Sequence, residues 1–134
     1  MPTRHALIRT EEILAGIIAA TVLLLAVLAG RSLFLGDLII ETHGYIGNAV
    51  FMIALANVGV TLAARADGVT AAVAFAVALL TFSQIGLGYV GRDTPDAAAL
   101  HVPNGVLLMG LAGYQFAAAR TRRLATRRSA EAEL

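Results

Sequence analysis

Apolar residues fall along this chain in four long runs, each closed at both ends by charge. Ile13 to Gly30 lies between Glu12 and Arg31, Thr42 to Ala64 between Glu41 and Arg65, Gly68 to Gly91 between Asp67 and Arg92, and Ala97 to Ala119 between Asp96 and Arg120. Each approximates the roughly 17–25 residues with which a helix covers about 30 Å of hydrocarbon. In lipid a backbone must satisfy its own hydrogen bonds, so each run is expected to be helical. The pattern predicts an all-α integral membrane four-helix bundle, one domain over residues 1–134, with spans at about 13–33, 42–64, 69–91 and 97–119. Residues 120–134 form a basic tail.

The connections sharpen this picture. Thr10-Glu11-Glu12 supplies an expected N-cap and first-turn acids for the first helix. Arg4 and Arg9 ahead of an apolar run resemble the start of a signal peptide. The apolar core is long for one, however, and no small-x-small cleavage site stands out, so the run reads as a retained span. Ala64-Arg65-Ala66-Asp67-Gly68 is a tight turn that should make the second and third spans antiparallel neighbours. The other two connections, Arg31 to Glu41 and Arg92 to Asp96, are also short. Ser129 to Leu134 is polar and expected to fray.

Charge then orients the bundle. Arg4, Arg9, Arg65, Arg120, Arg122, Arg123, Arg127 and Arg128 fall on one side of the four spans, and only Arg31 and Arg92 on the other. The positive-inside rule puts the larger group in the cytoplasm. This predicts an up-down-up-down bundle in the cell (inner) membrane with both termini cytoplasmic. Hydrophobic residues make up 58% and charged residues 14%, against about 25% charged in an average soluble domain. Cysteine is absent, which excludes disulfides, thiolate catalysis and cysteine metal sites. Lysine and tryptophan are absent too, and the abundance of Ala and Arg suits a high-GC bacterial source.

Candidate chemistry lies in the polar residues within the spans, where such groups are costly. His43 opens the second span in Glu41-Thr42-His43-Gly44-Tyr45-Ile46-Gly47-Asn48, and His101 stands near the start of the fourth in Leu100-His101-Val102-Pro103-Asn104-Gly105. Both spans run inward from the outer face, so the two histidines are expected at similar depth. Two imidazoles on different helices in one layer suit the iron of a haem b. Gly47 and Gly105 each follow a histidine by four residues, on the same helical face, and would clear space for a macrocycle. Gln84 is a candidate to face the cofactor. Arg92, and with it Arg31, are candidates to pair the propionates at the outer edge. Each feature also has a structural reading. An interfacial histidine often bonds a backbone carbonyl, and the two arginines have Asp37, Glu41, Asp93 and Asp96 as alternative partners. Asn48, Asn57, Thr81, Ser83, Asn104 and Gln115 suit interhelical hydrogen bonds worth about 0.6–2 kcal/mol each. Gly86, Gly88, Gly110 and Gly113 suit close helix approach, and Pro103 is expected in a tolerant early turn.

The stretch Ser83-Gln84-Ile85-Gly86-Leu87-Gly88-Tyr89-Val90-Gly91-Arg92, followed by His101, resembles haem A synthase. There a Gln-x-x-Leu-Gly-x-x-x-Arg run ends one helix and a haem-ligating histidine opens the next. The resemblance covers a four-helix half of that family and implies His43 and His101 as the ligand pair. It departs at Glu41, which precedes His43 by two residues where the family has three, and at Gly44, where the family has arginine. Ala99 to Leu108 resembles a group of small four-helix bacterial membrane proteins without a known reaction.

Three functions follow as expectations. The first is a b-type, bis-histidine membrane cytochrome in electron transfer or haem handling. The second is a cofactor-free accessory or assembly subunit of a larger membrane complex. The third is a half-size haem A synthase-like enzyme dependent on Glu41. Expected partners are the lipid bilayer and a second copy or larger membrane complex, with no nucleic acid. A small proton-coupled exporter ranks last, because all nine acids are assigned to loops, tails or helix ends.

Overall fold

The computed structural model describes residues 3–36 and 39–132. They form four helices, α1 (Arg4–Leu35), α2 (Ile40–Ala63), α3 (Gly68–Val90) and α4 (Pro95–Ala132). Each contains a stretch long and apolar enough to cross a membrane, consistent with a multi-pass membrane protein. α1 packs against α2 and α4, and α3 packs against the same two, while the diagonal pairs stay apart. The result is a four-cornered bundle.

Local chemistry sets the helix ends. Thr3 caps α1 by accepting at Oγ1 from the Ala6 N–H, and Gly36 closes it in the left-handed region at φ 71°. Asp67 caps α3, with Oδ1 accepting from the Thr70 N–H at 3.0 Å and Oδ2 from the Thr70 hydroxyl at 2.7 Å. Between α2 and α3, Arg65 sits at φ 51°, a conformation more typical of glycine. Pro95 opens α4, where its missing N–H costs nothing.

Two helices extend well past their apolar runs. α1 starts at Arg4, so Thr10 is not its cap; the Thr10 hydroxyl instead donates to the Ala6 carbonyl within the helix. α4 continues through Ala132, so the tail expected to fray is helical as far as that residue. With 32 and 38 residues, these helices are about 48 and 57 Å long at 1.5 Å per residue. Both outreach α2 and α3 at the end where α1 begins and α4 finishes. Pro103 lies nine residues into α4, within the helix and not in its first turn.

The core is narrow and built from small side chains. Ile18, Val22, Val50, Ala54, Val58, Ala74, Val77, Ala78, Leu108 and Ala112 form one buried cluster. Along α2 the buried positions are 50, 54, 57, 58 and 61, and along α3 they are 70, 74, 77, 78 and 81. That spacing of threes and fours keeps one face inward. Alanine and valine there let the backbones approach closely, the usual basis of helix packing in lipid. The large apolar side chains point outward on every helix, among them Leu23, Met52, Phe75, Leu79 and Val106. Such a surface suits hydrocarbon and not water.

Candidate functional site

Two polar regions flank the apolar core, and one of them contains both bundle histidines. His43, in the first turn of α2, and His101, in the second turn of α4, have ring centres 6.1 Å apart and ring planes inclined at 49°. Both are half-buried. The sequence places them on two helices at matched depth, and the fold brings them together across the diagonal of the bundle.

Each ring is held differently. His43 Nδ1 lies 3.0 Å from the Leu25 carbonyl of α1. A carbonyl can only accept, so this nitrogen carries the proton and Nε2 keeps its lone pair. The tautomer is therefore the one that ligates a metal through Nε2, with a backbone acceptor orienting the ring. The His101 ring lies against Gly88 of α3, where an added Cβ would sit 3.2 Å from Cε1 and 3.5 Å from Nδ1. His101 Nδ1 is buried without a hydrogen-bond partner among the described residues.

A hydrogen-bonded clamp supports His101. Gln84 Nε2 donates to the His101 carbonyl at 2.9 Å, and Asn104 Nδ2 donates both to Gln84 Oε1 at 2.5 Å and to the Leu80 carbonyl at 3.1 Å. Together these bonds fasten the end of α3 to the start of α4. Gln84 thus faces the histidine layer through the α4 backbone. Gly105 provides the room, since a Cβ there would meet Gln84 Nε2 at 3.0 Å. Gly47, one turn from His43, has no atom within 4 Å of its Cβ position. Asn48 Nδ2 donates to the Tyr89 hydroxyl at 3.2 Å, linking α2 to α3 beside the site.

At the rim, the Arg92 guanidinium lies over the Tyr89 ring, 5.3 Å from its centre. Among the described residues Arg92 makes no ion pair, so Asp93 and Asp96 are not its partners. Arg31 falls in the last turns of α1, and Asp37 lies outside the described residues. Glu41 is exposed in the first turn of α2. Among the described residues no three His, Cys, Asp or Glu side chains gather into a metal-sized cluster.

No family model, curated protein or solved structure matches this chain.

At the opposite end the structure reveals a group that sequence reasoning missed. Glu11 of α1 is fully buried and takes a two-pronged ion pair from Arg122 of α4, with its shorter contact at 2.6 Å. Arg123 pairs with Glu12 beside it. The expectation that every acid sits in a loop, tail or helix end fails for Glu11, whose helix starts seven residues earlier. Only the matching order, adjacent acids Glu11-Glu12 and adjacent bases Arg122-Arg123, signals the pair in the sequence.

Proposed function

We propose that this chain is a haem-binding integral membrane protein of the b-type cytochrome kind, with His43 and His101 as axial ligands of one iron. The observation that carries the reading is the separation of the two rings. Two imidazoles on opposite sides of one metal, with metal–nitrogen bonds of about 2 Å and ring centres about 1 Å behind each nitrogen, have centres about 6 Å apart. The rings here are 6.1 Å apart. The proton fixed on His43 Nδ1 supports the same reading, because it leaves Nε2 as the donor.

Bound haem would supply reversible one-electron chemistry. The chain's own residues would hold and insulate it. Gln84 and Asn104 fix the stretch of α4 that presents His101. Val50, Val77 and Leu108 form a dry layer separating the site from the opposite end of the bundle. Arg92 stands at the rim as the partner for a propionate, with Arg31 as the second candidate. An electron would enter and leave on the histidine side, through a quinone or a protein docked there.

In this reading the helices run up-down-up-down in the cell membrane, with both termini cytoplasmic and the histidines near the outer surface. The short connections and the eight-to-two division of arginines support it.

A second reading, a cofactor-free accessory subunit of a larger membrane complex, draws on the same contacts. The His43–Leu25 and Gln84–Asn104 bonds already tie two interhelical seams, α1–α2 and α3–α4, without any ligand. The absorption spectrum of the detergent-purified protein, oxidised and dithionite-reduced, separates the two. A Soret band with sharp reduced α and β bands, lost in both His43→Ala and His101→Ala, is the expected result. Colourless protein from haem-replete cells overturns the haem reading in favour of the second.

A further inference from the structure

The end of the bundle opposite the histidines carries a cleft of about 430 Å³ to which three separate elements contribute an arginine. Arg4 comes from the start of α1, Arg65 from the α2–α3 turn and Arg122 from the last third of α4. A chain reading the membrane as its solvent places this end at the polar boundary, where α1 and α4 run beyond their apolar stretches.

Two carboxylates stand against these three arginines, Asp67 in the lining and Glu11 behind Arg122, which leaves one net positive charge. Asp67 accepts from both the N–H and the hydroxyl of Thr70. Glu11, below the cleft, is taken by Arg122. The lining stays cationic after both are counted. Arg4 is anchored through Nε on the Ala64 carbonyl at 3.2 Å, which holds its guanidinium beside the turn. Arg65 is exposed, and its backbone is in the left-handed region at φ 51°. Glycine would take that conformation without strain, so the arginine side chain is present at a backbone cost.

We infer that this cleft binds a phosphate group, gripped by Arg4 and Arg65 with Arg122 behind them. Guanidinium groups match phosphate oxygens with paired hydrogen bonds. Basic pockets between helices at a membrane edge suit the head groups of anionic phospholipids. The cleft lies within the range of about 300–1,000 Å³ typical of small-ligand sites. The inference is independent of haem, since the site lies at the other end of the bundle.

The test uses the full-length protein in a neutral detergent. Native mass spectrometry would count bound phosphatidylglycerol against phosphatidylcholine, and calorimetry would titrate inorganic pyrophosphate as the soluble phosphate. The site variant is Arg4→Gln with Arg65→Gln, and the control is Arg127→Gln with Arg128→Gln, which removes the same charge from the tail. A basic residue near an anionic surface is worth about five-fold in affinity, so the site variant should retain phosphatidylglycerol about twenty-five-fold less well, with the control little changed. Arg65→Gly guards against a folding artefact: it relieves the turn, so it should melt no lower than the parent yet bind about five-fold more weakly. Pyrophosphate binding with the same dependence, and no preference for phosphatidylglycerol, would assign the site to a soluble phosphate. No preference for either phosphate over phosphatidylcholine, or equal loss in the tail control, would overturn the proposal.

Discussion

Removing Arg122 should unmask a buried carboxylate, and the cost should depend on pH in a way that identifies it. Glu11 has 0% of its side chain exposed and Arg122 only 22%, so Arg122→Gln strands a desolvated charge. Breaking a buried pair from one side costs about 3–5 kcal/mol when the remaining charge has no escape. Glu11 has one, because it can take up a proton. From an unperturbed carboxyl pKa of about 4.3, neutralisation at pH 7 costs about 3.7 kcal/mol, which caps the penalty; at pH 5 the cap falls to about 1 kcal/mol. Arg122→Gln should therefore lower stability by about 2–4 kcal/mol at pH 7 and by about 1 kcal/mol at pH 5. Glu11→Gln combined with Arg122→Gln removes both charges and should fall within about 1 kcal/mol of the parent at either pH. The assay is reversible unfolding in mixed dodecylmaltoside and dodecylsulfate micelles, followed by circular dichroism at several pH values. A pH-independent penalty for Arg122→Gln, or a double variant no more stable than the single one, would refute the buried-carboxylate argument.

Two further outcomes follow from contacts of single residues. Gly88→Ala should be less stable than Gly86→Ala by about 1–3 kcal/mol, because a Cβ at Gly88 meets the His101 ring at 3.2 Å while one at Gly86 meets nothing within 4 Å. Comparing the two variants cancels the helix propensity of alanine, and equal melting temperatures would remove Gly88 from the histidine site. The second concerns Asp67, whose carboxyl is held below its usual range by the bonds from Thr70. A depressed carboxyl pKa stabilises the fold above the unfolded value and loses that contribution as pH falls through the folded one. Asp67→Ala should thus lower stability at neutral pH, with the gap to the parent closing on strong acidification; a gap constant down to pH 2 in a melting series would contradict the cap.

Much of the fold is legible in the pattern of the chain alone. Four uninterrupted apolar runs leave a backbone in lipid one solution, and four helices at those places follow. Of the polar residues expected to bond between helices, Asn48 and Asn104 do so, whereas Asn57, Thr81 and Gln115 are buried without such a bond. Thr81 donates to the Val77 carbonyl of its own helix, and Asn57 Oδ1 and the Gln115 amide meet no partner among the described residues. The depth of His43 and His101 is also a counting argument, since a helix rises by a fixed step per residue. Helix ends were less legible. Where charge begins, the lipid criterion stops speaking, and a charged segment can be frayed coil or projecting helix with equal hydropathy. Where α1 and α4 run past their apolar stretches they face each other with matched counter-charges, Glu11 with Arg122 and Glu12 with Arg123.

Tertiary structure alone decided which neighbours those polar groups meet. Composition and spacing name Gln84 as unusual, but not that its amide reaches the His101 carbonyl, or that Gly105 makes the room. Gly88 was one glycine among 13 until the α3–α4 packing set the His101 ring on it. The rotation of a helix about its own axis determines such contacts. That rotation is fixed by packing side chains from two or three helices against one another, information that no single run of sequence contains. Apolar runs therefore determine which stretches of this chain are long and apolar enough to cross a membrane, while the interlocking of its small core residues determines which polar groups face each other inside.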